Sequence, residues 1–248
     1  MPGSAVDITT PDGVADAYLT RPDDQPHPGV LFIMDAYGLR PRIDEMADRI
    51  AGRGYVVLAP NVFYRAGRSP LFQLPDHSNP DERARFFQSL RPLMEQLTPD
   101  AVARDGGAYL DYLARFATGP AAITGYCMGA RVAWRIAAAH PDRVAALAGF
   151  HAGGLATDAP DSPHLSAGKI RAEVYFGHAD QDPSMTADQV ATLDKALDDA
   201  GVPRTTKVYE GAMHGYTMSD TPAYNEAAAE RHFDALFDLL ERTVKVAA

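Results

Sequence analysis

Short unbroken apolar runs recur along the chain, and most are followed by a segment with helical periodicity. Such runs are typical of strands buried on both faces of a sheet. The predicted strands lie at 29–34, 56–59, 121–126, 144–150, 172–176 and 205–209. The predicted helices lie at 42–53, 81–97, 100–116, 128–139, 186–200 and 223–246. This alternation predicts an α/β fold with a mostly parallel, twisted sheet flanked by helices on both faces.

Two segments depart from the alternation. Residues 6–9 and 14–19 flank the turn Pro11-Asp12-Gly13, which predicts a hairpin ahead of the first buried strand. Residues 60–80 are irregular and rich in Pro, Gly and aromatic residues, and a loop of this length is often functional. Because no repeat or low-complexity linker divides the chain, we expect one domain over residues 1–248.

Charge and composition exclude several classes of protein. The 33 acidic and 23 basic residues give a net charge of -10, whereas a nucleic-acid-binding protein needs a basic face. A single cysteine excludes an intramolecular disulfide. The chain lacks an apolar run of about 18 residues and a basic, apolar start, so we expect neither a membrane span nor a secretory signal. We expect a cytoplasmic monomer or small homo-oligomer with no nucleic-acid or membrane partner.

The segment Gly125-Tyr126-Cys127-Met128-Gly129 joins a predicted strand to a predicted helix. Gly-x-nucleophile-x-Gly in this setting is the pattern of a nucleophile elbow. A tight turn there needs glycines on both sides, so that strand and helix approach each other. The positive end of the helix dipole would stabilise a thiolate. A lone cysteine is more often a buried core thiol, but this setting favours Cys127 as a nucleophile.

An elbow of this kind also predicts an oxyanion hole. The backbone N–H of Met128 follows the nucleophile and is one expected donor. The second is expected from the loop after the first buried strand, where the N–H of Ala36 or Tyr37 is suitably placed. An ordinary turn is the alternative reading of that loop.

An acid and a base are expected after later strands. Asp180 follows the run 172–176 and is preferred over Asp182 because it lies nearer the strand end. Asp182-Pro183 also fits an ordinary helix start. His214 follows the run 205–209 in a loop of small residues. The order Cys127, Asp180, His214 is the order of the α/β-hydrolase fold.

Other histidines carry weaker signals. His151 follows a predicted strand and is a candidate for the pocket wall, although a structural role fits equally well. The remaining histidines have no metal-ligand spacing, and several are expected in loops or on helix surfaces: His27, His77, His140, His164 and His232. Neither a Gly-rich phosphate loop nor a dinucleotide fingerprint is present, so no cofactor or metal is expected.

With these residues in place, the chain resembles the dienelactone hydrolase family of α/β-hydrolases over nearly its whole length. The most specific marks are the Gly-Tyr-Cys-Met-Gly elbow, Gly-His-Ala-Asp at 177–180 and Met-His-Gly-Tyr at 213–216. Residues 54–61 and 81–85 are also similar. The resemblance implies hydrolysis of an unsaturated lactone by a Cys-His-Asp triad without a cofactor.

The resemblance also implies substrate-binding positions, and two of them differ from the family. A glutamate of the family corresponds to Asp35, which is one methylene shorter. One of two substrate-binding arginines maps to Arg85, whereas Met218 occupies the place of the other. An anionic substrate would lose a bidentate partner at Met218. The other expected substrate-binding residues are Tyr37, His151 and Tyr216.

The sequence therefore predicts a cysteine-dependent hydrolase of a small-molecule carboxylic ester or lactone. Two alternatives remain at this level. An acyltransferase would use the same triad and pass the acyl group to an alcohol or amine. A non-catalytic binding protein would keep the pocket without turnover, a reading that the departures at Asp35 and Met218 leave open.

Overall fold

The computed structural model describes residues 3–245 and contains an eight-stranded sheet in the order β1-β2-β4-β3-β5-β6-β7-β8. The strands are β1 (Ser4–Thr10), β2 (Gly13–Thr20), β3 (His27–Ile33), β4 (Val56–Pro60), β5 (Ala117–Tyr126), β6 (Val144–Phe150), β7 (Glu173–Ala179) and β8 (Arg204–Tyr209). β1 and β2 form the predicted hairpin, and β2 pairs antiparallel with β4. The pairs from β4 to β8 are all parallel.

Six α-helices connect the strands. They are α1 (Pro41–Ala51), α2 (Pro80–Glu95), α3 (Pro99–Leu113), α4 (Met128–Ala139), α5 (Ala187–Asp199) and α6 (Glu226–Thr243). Side-chain caps begin several of them, because the first backbone N–H groups of a helix lack internal acceptors. Asn79 accepts from the N–H groups of Asp81 and Glu82 at the start of α2. Thr186 and Gln189 form a capping box on α5.

The sheet lies between helices on both faces, as predicted. Along β5 and β6, successive side chains point to opposite faces. Gly125 and Gly149 face α4, where an added Cβ would meet backbone of Gly129 or the Cβ of Ala130. Tyr126 and Phe150 face α6 instead, with ring centroids 5.6 and 4.6 Å from the ring of His232.

Most element boundaries agree with the sequence prediction to within a few residues. The largest difference is in β5, which begins at Ala117 because residues 117–118 pair with the start of β3 across a bulge. α6 begins at Glu226 rather than at 223, since Asn225 caps it. Two 3-10 helices, Pro141–Arg143 and Pro163–Lys169, were not predicted. The expected end of the last helix at 246 lies outside the described residues.

Strand register brings the loops of the site together. Ile33 pairs with Gly125, Tyr126 with Phe150, and Ala179 with Tyr209. The carboxyl ends of the parallel strands therefore lie along one edge, which is where open α/β sheets bind ligands. Within residues 3–245, no helix combines the length and apolar composition that crossing a membrane requires.

Candidate active site

Cys127 lies in the tight turn between β5 and α4. Its φ is 56° and its ψ is -121°, a backbone conformation that residues other than glycine rarely adopt. The flanking glycines make this turn possible. A Cβ on Gly125 would lie 2.4 Å from the carbonyl oxygen of Gly129, and a Cβ on Gly129 would lie 2.3 Å from the carbonyl oxygen of Met34. The elbow predicted from the glycine spacing is present.

His214 lies between Cys127 and an aspartate. Its Nε2 atom is 3.0 Å from the Sγ atom of Cys127, and its Nδ1 atom is 2.6 Å from Oδ2 of Asp182. The sulfur, imidazole and carboxylate come from the loops after β5, β8 and β7. Three segments that are distant in sequence thus form one continuous line of contacts.

The carboxylate at His214 belongs to Asp182, so the expected pairing with Asp180 is wrong. β7 continues to Ala179, three residues beyond its predicted end, and Asp180 stays in register with the neighbouring segment. Its N–H donates to the Ala212 carbonyl at 2.8 Å, and its carboxylate accepts from the N–H of Gly211 at 3.1 Å. The chain then reverses at Gln181, whose φ is 53°, and this turn directs Asp182 toward His214.

The contacts of His214 favour its charged form. Burial opposes a positive charge there, but attraction to Cys127 and the hydrogen bond with Asp182 outweigh burial and raise the pKa of His214 to about 10. Burial also acts against the charge of Asp182. Hydrogen bonds from His214 and Ser184 more than offset that penalty and hold the pKa of Asp182 below its usual range. The arrangement therefore suits an imidazolium held between two anions.

A cavity of about 410 Å³ opens above Cys127 and His214. Its walls are mainly apolar and aromatic, with single polar or charged groups among them. The lining residues are Asp35, Ala36, Tyr37, His77, Arg83, Phe87, Cys127, His151, Met213, His214, Gly215, Met218, Thr221, Pro222 and Ala223. Five predicted pocket residues are among them: Asp35, Ala36, Tyr37, His151 and Met218.

Two predicted substrate-binding residues do not reach this cavity. Arg85 is exposed, and Arg83 lines the cavity instead, because two residues along a helix are about 200° apart. Tyr216 is fully buried and donates a hydrogen bond of 3.0 Å to the Gly177 carbonyl. Its ring stacks on Tyr209, so it supports the site from within the core.

Two backbone N–H groups remain candidates for an oxyanion hole. α4 begins at Met128, so the N–H of Met128 has no acceptor within the helix. In the loop after β3, the N–H of Tyr37 donates to Oδ1 of Asp35 at 3.0 Å. The N–H of Tyr37 is therefore already engaged, which leaves the N–H of Ala36 as the candidate in that loop.

Asp35 is held in a buried salt bridge rather than against Cys127. Its two oxygens lie 2.6 and 3.0 Å from the Nη1 and Nη2 atoms of Arg40. The same guanidinium binds Asp220 through Nε, at 2.6 Å. Arg40 thus connects the loop after β3 to the loop that follows His214, and residues of both loops line the cavity.

His151 has features that sequence reasoning did not anticipate. It is fully buried, with a φ of 38°, and its ring centroid lies 5.4 Å from that of His214. Its Nε2 atom is 2.7 Å from Oγ1 of Thr217. Burial, with the nearby His214 and His232, holds the pKa of His151 well below its usual range. A neutral imidazole therefore forms part of the cavity wall.

His232 also differs from its expected place on a helix surface. It is fully buried between α6 and the sheet, where its Nε2 atom lies 3.1 Å from the hydroxyl of Tyr126. The helical pattern around it did not show which face of α6 meets the sheet. Among residues 3–245, no group of three or more His, Cys, Asp or Glu side chains is arranged to hold a metal ion.

Comparisons with known proteins point to one family. The model of the dienelactone hydrolase family matches residues 15–244. A Yersinia pestis protein provisionally named carboxymethylenebutenolidase is 28% identical over 232 residues, covering 90% of this chain and 81% of that protein. The carboxymethylenebutenolidase of Rhodococcus opacus is 24% identical over 217 residues, covering 87% and 79%.

A solved structure shows the same fold. The crystal structure of a provisionally assigned dienelactone hydrolase from Klebsiella pneumoniae superposes with a TM-score of 0.82. It is 22% identical in sequence, and the match covers 97% of this chain and 98% of that one. This likeness confirms the α/β-hydrolase fold predicted from the sequence.

Proposed function

Because the chain belongs to the dienelactone hydrolase family, we propose that it is a cysteine-dependent hydrolase of carboxylic esters or lactones. One observation carries the proposal: Cys127, His214 and Asp182 form an unbroken line of contacts of 3.0 and 2.6 Å at the base of the cavity. The names of the curated relatives direct the proposal to an ester or lactone bond.

His214 and Asp182 activate the sulfur of Cys127. The imidazole takes the thiol proton on Nε2, while its Nδ1–H donates to the carboxylate of Asp182. Asp182 stays ionised and stabilises the imidazolium. The thiolate also lies at the N-terminus of α4, whose partial positive charge favours an anion.

The thiolate attacks the acyl carbon, and the carbonyl π electrons move to the oxygen. The N–H groups of Met128 and Ala36 are proposed to hold this oxyanion, with each donor stabilising the transition state by about 3 kcal/mol. The electrons return, the C–O bond to the leaving oxygen breaks, and His214 gives its proton to that oxygen. A thioester on Cys127 remains; with a lactone, the new hydroxyl stays on the acyl chain.

Water completes the cycle. His214 takes a proton from a water molecule while the water oxygen attacks the thioester carbon. The same two N–H groups hold the second oxyanion. Collapse of that intermediate breaks the C–S bond and returns Cys127 as a thiolate beside an imidazolium. The product leaves as a carboxylic acid.

The cavity walls indicate what surrounds the scissile bond. Ala36, Tyr37, Phe87 and Met218 offer apolar contact area to an acyl or alcohol group. Met218 lies where the resemblance places an arginine, and Arg40 is already bound by two carboxylates. A substrate that needs two arginines for a carboxylate is therefore a poor fit.

Replacement of the sulfur tests the proposal. We expect Cys127→Ala to lower kcat/KM on activated aryl esters and unsaturated lactones by at least about 10³-fold, because no nucleophile remains. Thermal unfolding of the variant checks that the fold is retained. Hydrolysis at the wild-type rate in the folded variant would contradict the mechanism. Product analysis with an added alcohol separates hydrolysis from acyl transfer.

A further inference from the structure

The loop after β7 carries a hydroxyl that contacts both His214 and Asp182. The Oγ atom of Ser184 lies 2.7 Å from Oδ1 of Asp182 and 3.1 Å from Nδ1 of His214. Because the carboxylate only accepts, the hydroxyl donates to Asp182, and its oxygen is free to accept from the Nδ1–H of His214. The proton on Nδ1 is then shared between Asp182 and Ser184.

We propose that Ser184 is a positioning residue that orients Asp182 and stabilises the imidazolium of His214. The inference rests on the proposed function and adds a fourth residue to its machinery. Ser184 does not line the cavity, so it acts through its two neighbours and does not touch the substrate.

Ser184 decides which carboxylate oxygen meets the imidazole. Oδ1 of Asp182 accepts from the Ser184 hydroxyl and also from the backbone N–H of Ser184, which lies 2.8 Å away. These two donors occupy Oδ1, which leaves Oδ2 to face Nδ1 of His214 at 2.6 Å. Without the hydroxyl, the carboxylate keeps only the backbone donor at Oδ1 and gains rotational freedom.

The loop after β6 holds Ser184 in place. The N–H of Gly154 donates to the Ser184 carbonyl at 2.9 Å. A Cβ on Gly153 would lie 2.9 Å from the Oγ atom and 3.1 Å from the Cβ atom of Ser184, closer than such atoms normally pack. A glycine at 153 therefore leaves the space that the hydroxyl occupies, and an alanine there would push the hydroxyl away.

The charge balance around His214 sets the expected effect. Cys127 and Asp182 face its ring, and His151 packs against it at 5.4 Å. Tyr37 is also nearby. Burial, Asp35 and Cys127, in that order, raise the pKa of Tyr37 to about 12, so its hydroxyl stays neutral. Loss of the Ser184 oxygen removes an acceptor from the imidazolium and leaves the thiolate–imidazolium pair less stable. A higher pH is then needed to form the thiolate.

Alkylation by iodoacetamide tests this without a substrate, because Cys127 is the single cysteine of the chain. We expect Ser184→Ala to move the midpoint of the rate–pH profile upward by about one pH unit. We expect it to lower kcat/KM about tenfold, the effect of one hydrogen bond to a charged group. Gly153→Ala should shift the pH midpoint and kcat/KM in the same directions, although the Ser184 hydroxyl is still present. Ser184→Thr, which keeps a hydroxyl, should have a midpoint and a kcat/KM close to those of the wild type.

Thr192→Ala is the matched control, since it removes an exposed hydroxyl whose hydrogen bond is to the Asp188 carbonyl of its own helix. A wild-type alkylation profile in Ser184→Ala overturns the inference, even if kcat/KM falls, because a purely structural role would not move the pH midpoint. If Cys127→Ala is inactive while Ser184→Ala keeps the wild-type profile, only this inference fails. If Cys127→Ala remains active, the proposed function fails, whatever Ser184 does.

Discussion

His214 and His232 show how two environments set the charge of the same side chain. His214 lies at the edge of the sheet, half-buried, between a sulfur and a carboxylate, and its pKa is raised to about 10 against the effect of burial. His232 lies inside, between α6 and the sheet, where burial lowers its pKa to about 3. Its partners are neutral: the hydroxyl of Tyr126 and the carbonyl of Ala229.

In this protein, burial keeps a histidine neutral unless an anionic group contacts its ring directly. His178 supports this, because burial lowers its pKa to about 4 and neither ring nitrogen has a hydrogen-bond partner among the described residues. His151 follows the same rule although it packs against His214. The core holds neutral rings, and the sheet edge holds one that can carry a proton.

The largest expected effect comes from removing the anion beside His214. Asp182→Asn should lower kcat/KM by about 10³–10⁴-fold, because an amide neither stabilises the imidazolium nor holds the required tautomer. Steady-state kinetics on an activated ester measures the loss. The substitution should also lower the pKa of His214, because the hydrogen bond to an anionic carboxylate is lost while Cys127 remains.

Asp180→Asn is the matched control for that variant. Asp180 lies two residues away and bonds the N–H of Gly211 rather than His214, so we expect kcat/KM to stay within about threefold of the wild type. Equal losses in the two variants would mean that Asp182 has no special role. A larger loss in Asp180→Asn would reverse the assignment.

An intermediate effect is expected from acid titration of His232. The unfolded chain binds a proton at a pKa of about 6.5, whereas folded His232 does so only near 3. The contribution of His232 to stability is thus present above about pH 6.5 and is lost as the pH falls, by about 1.4 kcal/mol for each pH unit. His232→Gln should make the acid decline in the free energy of unfolding shallower by that slope.

Urea unfolding at several pH values between about 4 and 7 measures the slopes. The variant is compared with the wild type by slope and not by absolute stability, because the glutamine also disturbs packing. If the free energy of unfolding fell equally steeply in the two proteins, the pKa of His232 would not be lowered in the folded state. The contrast with His214 would then fail.

The smallest effect is expected where a histidine has a carboxylate partner near the surface. Nε2 of His27 lies 2.8 Å from Oδ1 of Asp23, but the aspartate side chain is 56% exposed. His27→Gln should change the free energy of unfolding by less than about 1 kcal/mol at neutral pH, because water screens such a pair. A change of several kcal/mol, measured by urea unfolding, would show that exposure does not weaken the pair as argued.

Local sequence patterns predicted much of the fold and one part of the site. Gly125 and Gly129 flank Cys127 at the spacing that a strand–turn–helix elbow requires, and the structure places the thiol in that turn. His214 was identified because it follows a strand in a loop of small residues. These features depend on backbone conformation within a few residues, so the sequence shows them directly.

Choices between near neighbours could not be predicted in the same way. Asp180 and Asp182 both follow β7, and pairing with the segment after β8, with the turn at Gln181, directs only Asp182 to His214. Arg83 and Arg85 share one helix, and its packing turns only Arg83 to the cavity. Tyr216 follows His214 closely, yet its side chain enters the core.

Local periodicity and glycine spacing were sufficient to predict the order of strands and helices, the parallel sheet and the strained turn that presents the sulfur. The folded structure was needed to identify the carboxylate that contacts the imidazole, the arginine that lines the cavity and the histidines that stay neutral. Those outcomes depend on strand register, helix rotation and burial, which arise from contacts between residues far apart in the chain.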